Sequence, residues 1–327
     1  MNLLPDFRFL RPTSLDDAVA ALAEAPGCRP LAGGTDLLPN LRRGLGEPGA
    51  LVDLGAVPGM DLIAVEGEQL VLGATARLED VAASEQVRGR WPVLAEAAAT
   101  VAGPTHRAAA TVGGNLCQDT RCIFYNQSEW WRESNDWCLK HKGAVCHVVP
   151  KSDRCYAVYA GDLAPALMVL RAEVEIVGAG GSRRLPIAGL YHEEGRGYLT
   201  LAPGEILARV LVPAPAQGTR AGYAKNRVRD AVDFPLAGVA VALRREGDAL
   251  AGLDVALTGV ASAPLMVPGL EGLLGSPWND QAAKAVGEAV RKGCNAVKST
   301  LAPPKYRRRV ASASAVRLAA RLWEAYS

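Results

Sequence analysis

The chain has 327 residues, of which 49% are apolar and 21% are charged, so its composition argues against a disordered protein. Its 36 basic and 34 acidic side chains leave a net charge of +2, which argues against binding to nucleic acid or to a membrane surface. A chain of this length is expected to fold as two or three domains.

The N-terminal residues do not resemble an export signal. Asp6, Arg8 and Arg11 stand where a secretory signal needs an unbroken apolar stretch. No window reaches the roughly 18 uninterrupted apolar residues that a membrane-spanning helix needs. The sequence therefore predicts a cytoplasmic protein, in which the seven cysteines are not expected to form structural disulfides.

The first elements form a small α/β unit. Ser14 precedes an apolar-periodic run at residues 15–25 and Gly27 follows it, which predicts a capped helix. Short strands are predicted at residues 29–32 and 51–54.

The middle of the chain mixes strands with helices and ends in a proline-rich stretch at residues 212–216. Strands are predicted at residues 70–74 and 172–177, and helices at residues 78–84 and 91–101.

The last part of the chain predicts a hairpin followed by helices. Residues 236–244 and 250–260 alternate or run apolar around Gly247-Asp248, which indicates two antiparallel strands. Helices are predicted at residues 280–292 and 305–326.

These elements predict an α+β (mixed α/β) fold with three parts. The predicted domains are residues 1–57, residues 58–215, and a C-terminal domain of antiparallel sheet and helices at residues 216–327.

Two glycine loops are candidate ligand-binding turns. In residues 31–36 (LAGGTD), paired glycines at a strand end let the backbone approach a ligand and direct several N–H groups at one anion. Residues 111–115 (TVGGN) repeat that pattern, so the two loops are expected to hold opposite sides of a diphosphate-containing cofactor. Neither has the spacing of the Rossmann fingerprint or the lysine of a P-loop.

A cysteine-rich segment at about residues 117–157 follows the second loop. It contains three of the six tryptophans, two of the four histidines and five cysteines, namely Cys117, Cys122, Cys138, Cys146 and Cys155. Free cysteines usually scatter as small buried side chains, so this clustering indicates a metal site. Cys28 and Cys294 are isolated and are expected to be core thiols.

A 4Fe-4S cluster accounts for both the cysteines and the aromatic residues, because it needs four thiolates and an apolar shell. Structural zinc stays open as an alternative, although the close cysteine pairs of common zinc sites are missing. Cys117 directly follows the second glycine loop and is expected to be held by that loop. The predicted cluster ligands are therefore Cys122, Cys138, Cys146 and Cys155.

Three motifs resemble one protein family over nearly the whole chain. Residues 32–37 (AGGTDL), 111–116 (TVGGNL) and 161–167 (GDLAPAL) are similar to the FAD-binding medium subunit of the molybdenum hydroxylases, the xanthine dehydrogenase and carbon monoxide dehydrogenase group. In that family a short loop joins the second and third motifs. Here the cysteine-rich segment enlarges the loop, which resembles the β subunit of 4-hydroxybenzoyl-CoA reductase.

The resemblance implies a set of FAD-contacting residues. Those expected at the diphosphate and adenosine are Arg29, Pro30, Leu31, Ala32, Gly33, Gly34, Thr35 and Asp36, with Thr111, Gly113, Gly114 and Asn115 on the other side. Asp162 is expected at the ribityl or ribose, Leu207 and Lys225 at the flavin ring, and Val101 where some relatives place an aromatic ring.

Some of these residues also have a structural interpretation. Asp162 is a suitable helix cap, and Lys225 a solvated strand residue. The basic run at residues 307–309 is expected to form a solvated helix face or to contact a partner subunit.

The resemblance further implies a complex, expected to be a dimer of heterotrimers. A large subunit would hold a molybdenum cofactor, a small subunit two 2Fe-2S clusters, and this chain FAD. Electrons from a ferredoxin-type donor would pass through the 4Fe-4S cluster and FAD to molybdenum, where the phenolic hydroxyl of 4-hydroxybenzoyl-CoA is reductively removed to give benzoyl-CoA. No catalytic residue is expected on this chain.

Two other functions fit the same residues. One is the FAD subunit of an oxidative molybdenum hydroxylase, with the cysteine-rich segment as a docking element. The other is a zinc-stabilised interaction subunit that binds a nucleotide without redox turnover.

Overall fold

The computed structural model describes residues 3–24 and 27–326 of the chain. Its strands are β1 Arg8–Leu10, β2 Arg29–Leu31, β3 Ala50–Asp53, β4 Ile63–Glu66, β5 Gln69–Gly73, β6 Glu173–Gly178, β7 Gly181–Pro186, β8 Ile206–Pro213, β9 Thr219–Asn226, β10 Ala237–Glu246, β11 Ala249–Thr258 and β12 Leu265–Met266. Its α-helices are α1 Leu15–Glu24, α2 Leu37–Arg42, α3 Leu78–Ala83, α4 Glu85–Arg90, α5 Pro92–Ala99, α6 Pro104–Arg107, α7 Val112–Leu116, α8 Glu129–Ser134, α9 Leu163–Val169, α10 Asp280–Gly293 and α11 Pro304–Glu324.

A three-stranded parallel sheet, in the order β1-β3-β2, forms the N-terminal unit. Helix α1 starts as predicted, because the Ser14 hydroxyl accepts a hydrogen bond of 3.1 Å from the backbone N–H of Asp17. The predicted end of this helix at residue 25 lies outside the described residues. Strand β1 and helix α2 were not predicted, since three to six residues carry too little periodicity.

A five-stranded antiparallel sheet, in the order β4-β5-β8-β6-β7, forms the middle of the chain. Strands β5 and β8 pair so that Leu72 faces Val210, and both side chains are fully buried. This pairing joins strands from the two sides of the cysteine-rich segment. The cysteine-rich segment contributes no strand to this sheet. Among the described residues, α8 is the only helix of the segment.

A four-stranded antiparallel sheet, in the order β12-β11-β10-β9, packs against α11, and α10 packs against α11. The predicted hairpin is present as β10 and β11, and Gly247 in its turn has a φ of +57°. The predicted helices correspond to α10 and α11. Together the three sheets confirm the predicted α+β (mixed α/β) fold class.

Each sheet draws its strands from one of the predicted segments, residues 1–57, 58–215 and 216–327. The largest apolar core nevertheless contains side chains from all three, for example Ala18, Leu72 and Ala240. The domain boundaries stay a prediction.

The basic run at the start of α11 is not a fully solvated face. Arg307 has no exposed surface, and it donates to the carbonyl oxygens of Leu236 at 3.0 Å and Val297 at 3.2 Å and also to that of Gly259. Only Arg308 and Arg309 are exposed. The prediction of a solvated face is therefore wrong for Arg307, because its guanidinium binds three loop carbonyls at the end of the sheet.

Across the described part of the chain, none of the helices is both long enough and apolar enough to cross a membrane.

Candidate functional site

The first glycine loop, residues 32–36, connects β2 to α2. A Cβ atom on Gly33 would lie 1.9 Å from the carbonyl oxygen of Ala109, and Gly34 has a φ of +69°. Among the described residues, no protein acceptor takes the backbone N–H groups of positions 33–36. Consecutive unbonded donors at the end of a strand are suited to receive a phosphate or another anion.

The second glycine loop, residues 111–115, uses its donors inside the protein. The Thr111 hydroxyl accepts from the Gly114 N–H at 3.0 Å, and the Gly113 N–H donates to the Ala74 carbonyl at 2.7 Å. A Cβ atom on Gly113 would lie 2.8 Å from the Cβ of Ala74. The backbone donors of this loop are therefore used within the protein, and its glycines allow close packing. Its role in cofactor binding stays a prediction.

Both loops face a cavity of about 310 Å³, which falls within the size range of small-molecule sites. The predicted cofactor residues that line it are Arg29, Pro30, Leu31, Ala32, Gly33, Gly34, Thr35, Asp36, Thr111, Gly113, Gly114 and Leu207. Residues 198, 199 and 201–207 form another wall of this cavity. Except for Leu207, this wall was missed, because the loop carries no motif in the sequence.

Two cysteines also line this cavity. Cys117 lies there, next to the second loop as expected, and burial raises the pKa of its thiol to about 12. Cys28 was expected in the core but is only half-buried and faces the cavity. Cys294, by contrast, is a buried core thiol.

Four predicted cofactor residues do not line the cavity, namely Val101, Asn115, Asp162 and Lys225. The Asn115 side chain accepts from the backbone N–H of Leu163 at 3.0 Å, so it joins the second loop to the start of α9. Val101 follows α5, and its carbonyl accepts from Arg107 at 2.9 Å.

Asp162 and Lys225 bind each other. Lys225 Nζ lies 2.8 Å from Asp162 Oδ2, and the Tyr223 hydroxyl donates to Asp162 Oδ1 at 2.6 Å. Both charged side chains are only 3% exposed, so Lys225 is not a solvated strand residue. Asp162 stands at the start of α9, but its side chain makes no capping hydrogen bond.

The Asp36 carboxylate connects the first glycine loop to the cysteine-rich segment. It pairs with the guanidinium of Arg121 and accepts from the backbone N–H of Asp119 at 2.9 Å. Arg121 also donates to Asn40 Oδ1 at 3.2 Å. No sequence pattern predicts this link, because its partners are far apart in the chain.

The four predicted cluster ligands lie together. Cys122, Cys138, Cys146 and Cys155 are all buried and line one small cavity of about 10 Å³. Phe124, Tyr125 and His147 line it as well, which supplies the aromatic shell expected from the sequence. The volume is that of a single water molecule, so binding a cluster requires the cavity to widen.

Burial makes two of these thiols weaker acids. It raises the pKa of Cys155 to about 12 and also raises that of Cys122. The described residues contain no group of three or more His, Cys, Asp or Glu side chains that could hold a single metal ion. The four thiols therefore line one cavity without lying close enough together to bind a single metal ion.

Comparison with known proteins identifies related families. The family model described as the FAD binding domain in molybdopterin dehydrogenase matches residues 5–215, and that of the CO dehydrogenase flavoprotein C-terminal domain matches residues 223–322. The aldehyde oxidoreductase FAD-binding subunit PaoB of Escherichia coli is 32% identical over 90% of this chain and 89% of its own length. The carbon monoxide dehydrogenase medium chain of Hydrogenophaga pseudoflava is 30% identical over 89% of this chain and 88% of its own length.

Solved structures have the same fold. A carbon monoxide dehydrogenase from Hydrogenophaga pseudoflava superposes with a TM-score of 0.82 at 26% identity, covering 98% of this chain and 99% of that one. The Cu,Mo-CO dehydrogenase in its cyanide-inactivated form gives a TM-score of 0.81 at 25% identity, with 98% and 99% covered.

Proposed function

This chain belongs to the family of FAD-binding subunits of molybdopterin dehydrogenases, and on that basis we propose that it is an electron-transfer subunit carrying FAD together with a 4Fe-4S cluster. One observation supports the 4Fe-4S cluster in this proposal. Four buried thiols line a common cavity, in an enlarged loop that is tied directly to the first glycine loop through Asp36.

The residues present fit FAD. The unbonded N–H groups at positions 33–36 would bind the diphosphate. Leu207, which lines the same cavity, would pack against the flavin. Bound FAD exchanges electrons singly or in pairs and so links carriers of different stoichiometry. Asn115, Asp162 and Lys225 would act indirectly, by holding α9 and β9 behind the second loop.

The donor set also fits an iron-sulfur cluster. In a 4Fe-4S cluster each of four thiolates binds a different iron, so the sulfurs stand farther apart than around one zinc ion. Cys122, Cys138, Cys146 and Cys155 line one cavity, which supports this part of the proposal. Metal binding would deprotonate these thiols.

The resemblance of the enlarged loop supports a reductive role, as in 4-hydroxybenzoyl-CoA reductase. A ferredoxin-type donor would give one electron at a time to this chain. Two electrons and two protons would be used when the phenolic hydroxyl leaves the substrate as water on the molybdenum subunit. A large molybdenum subunit and a small 2Fe-2S subunit would complete a cytoplasmic complex, assembled as a dimer of heterotrimers.

The relatives support a second candidate, an oxidative enzyme. They are named as aldehyde oxidoreductase, carbon monoxide dehydrogenase and glyceraldehyde dehydrogenase subunits. In that case electrons would leave the complex through this chain. The cysteine-rich segment would then serve as an exit for electrons or as a docking element.

The test is anaerobic purification of the full chain, followed by absorption spectroscopy and by iron, sulfide and zinc analysis. We expect flavin bands, a broad shoulder near 400 nm and about four irons per chain. Stoichiometric zinc with little iron would refute the cluster. Two further measurements on the complex separate the directions of electron flow. Flavin reduction by reduced ferredoxin supports the reductive role, and flavin reduction by an aldehyde substrate supports the oxidative one.

The ligand assignment has a matched pair of variants. Cys138→Ser is expected to lose most of its iron, because Cys138 lines the thiol cavity. Cys117→Ser should keep its iron, because Cys117 faces the other cavity. Unchanged iron in the first variant, or iron loss in the second, contradicts the assignment.

A further inference from the structure

The cavity lined by the two glycine loops (the FAD cavity) and the cavity lined by the four cysteines (the thiol cavity) are separated by a wall of side chains that contact one another. Asp119 and Tyr198 line the FAD cavity, and Lys140 and Tyr125 line the thiol cavity. These four residues contact one another across the boundary, so whatever occupies one cavity lies close to the other.

Lys140 is the centre of this wall. Its Nζ lies 2.7 Å from Asp119 Oδ1 and 2.7 Å from the carbonyl oxygen of Gly195, and it also donates to the Thr120 hydroxyl. The side chain is only 4% exposed. The ammonium is therefore a buried charge held in one place by three oxygen atoms.

The same ammonium faces both aromatic rings of the wall. Lys140 Nζ lies 4.9 Å from the ring centre of Tyr125 and 5.6 Å from that of Tyr198. Tyr125 also donates to the second oxygen of Asp119, at 3.0 Å. Asp119 thus lines the FAD cavity and Lys140 the thiol cavity, and their charged groups meet between the two.

We propose that Lys140 is a positioning residue whose buried positive charge raises the reduction potential of the cluster, while Asp119 holds it there and opposes that effect. This inference rests on the proposed function. Each electron that enters a cluster adds one negative charge to it, and a fixed cation nearby in a water-poor region favours the more negative state. The adjacent Asp119 carboxylate has the opposite sign and disfavours that state.

Lys142 provides a matched control in the same loop. Its side chain is exposed, and its Nζ lies over the ring of Trp137, 4.7 Å from the ring centre. It lines neither cavity. Lys142→Met changes the net charge of the chain as much as Lys140→Met does. Solvent screens the Lys142 ammonium, however, so its charge should have little effect on the cluster potential.

The experiment is a redox titration of the anaerobically purified full chain, following the cluster by electron paramagnetic resonance and the flavin by absorption. Lys140→Met is expected to shift the cluster midpoint to a more negative potential, and Asp119→Asn to a more positive one. Lys140→Arg and Lys142→Met should stay at the wild-type value. A purely structural effect would move Lys140→Met and Asp119→Asn in the same direction.

The outcomes separate this inference from the proposed function. A wild-type chain without iron refutes both the cluster and the role of Lys140. An iron-loaded wild type whose cluster midpoint is unchanged in Lys140→Met overturns the inference alone. If Lys140→Met loses its iron, the cluster midpoint of Asp119→Asn is the deciding measurement. A shift of that midpoint to a more positive potential supports the inference, and no shift or a more negative potential overturns it.

Discussion

Asp162 and Lys225 form a buried ion pair of 2.8 Å that joins the start of α9 to β9 of the C-terminal sheet. Each side chain is only 3% exposed, and Tyr223 and Thr100 supply the remaining hydrogen bonds. The pair therefore links helix α9 to the C-terminal sheet through two buried charges.

Lys225→Met is expected to lower the free energy of unfolding by about 3–5 kcal/mol, because it leaves the Asp162 carboxylate buried without its cation. Urea denaturation of the FAD-free chain measures this. The double variant with Asp162→Asn should recover part of the loss. Arg184→Ala is the control, since it breaks an exposed pair with Glu175 and should cost less than about 1 kcal/mol. Equal losses in the two single variants would contradict the expectation.

The sequence predicts local elements well and this long-range pair not at all. The hairpin of β10 and β11 follows from alternation around Gly247, which short-range backbone preferences determine. The contact between Asp162 and Lys225 depends on how α9 packs on a different sheet. No spacing in the sequence encodes that packing.

The candidate site was also predicted only in part. The first glycine loop and the four clustered cysteines were found from residue type and spacing, and the structure places each group around a cavity. The wall between the cavities was not found. Lys140 and Asp119 are ordinary charged residues in the sequence, and only the folded loop brings them together.

Gly33→Ala is expected to weaken FAD binding. The new Cβ would lie 1.9 Å from the carbonyl oxygen of Ala109, so the loop must move away from the second glycine loop. Such overpacking costs about 1–3 kcal/mol, which corresponds to roughly 5- to 150-fold in affinity. Titration of the FAD-free chain with FAD, followed by flavin fluorescence, measures the change.

Gly180→Ala is the matched control for this substitution. It lies in the turn between β6 and β7, where no atom is found within 4 Å of the added Cβ. It should bind FAD as the wild type does. Wild-type affinity in Gly33→Ala would show that the loop does not hold the cofactor.

Alkaline pH is expected to unfold the chain through its buried tyrosines. Burial raises the pKa of Tyr191, Tyr198 and Tyr223 well above the ordinary value near 10. Above about pH 10 the unfolded chain loses these protons while the folded chain keeps them. The free energy of unfolding should therefore be insensitive to these groups below about pH 9 and fall as the pH rises further, by about 1.4 kcal/mol per pH unit for each group.

Urea midpoints between pH 8 and 11 measure this dependence. The Tyr191→Phe variant removes one of the titrating groups, so its stability should fall less steeply with pH. A stability that stays constant to pH 11, or the same slope in the variant, would contradict the assignment of the dependence to these phenols.

Arg307→Met is expected to destabilise the C-terminal domain, although the substitution lies in a run of three arginines. The Arg307 guanidinium is fully buried and binds the carbonyl oxygens of Leu236, Val297 and Gly259. Val297 would keep the backbone N–H of Ser299 as a donor at 2.8 Å, whereas Leu236 and Gly259 would lose the donor that Arg307 supplies. Leaving these carbonyls unsatisfied should cost about 3 kcal/mol or more. Arg309→Met removes the same charge from an exposed position and should change the stability by less than about 0.5 kcal/mol. Thermal or urea unfolding of both variants decides the matter, and equal effects would mean that the run acts only through its charge.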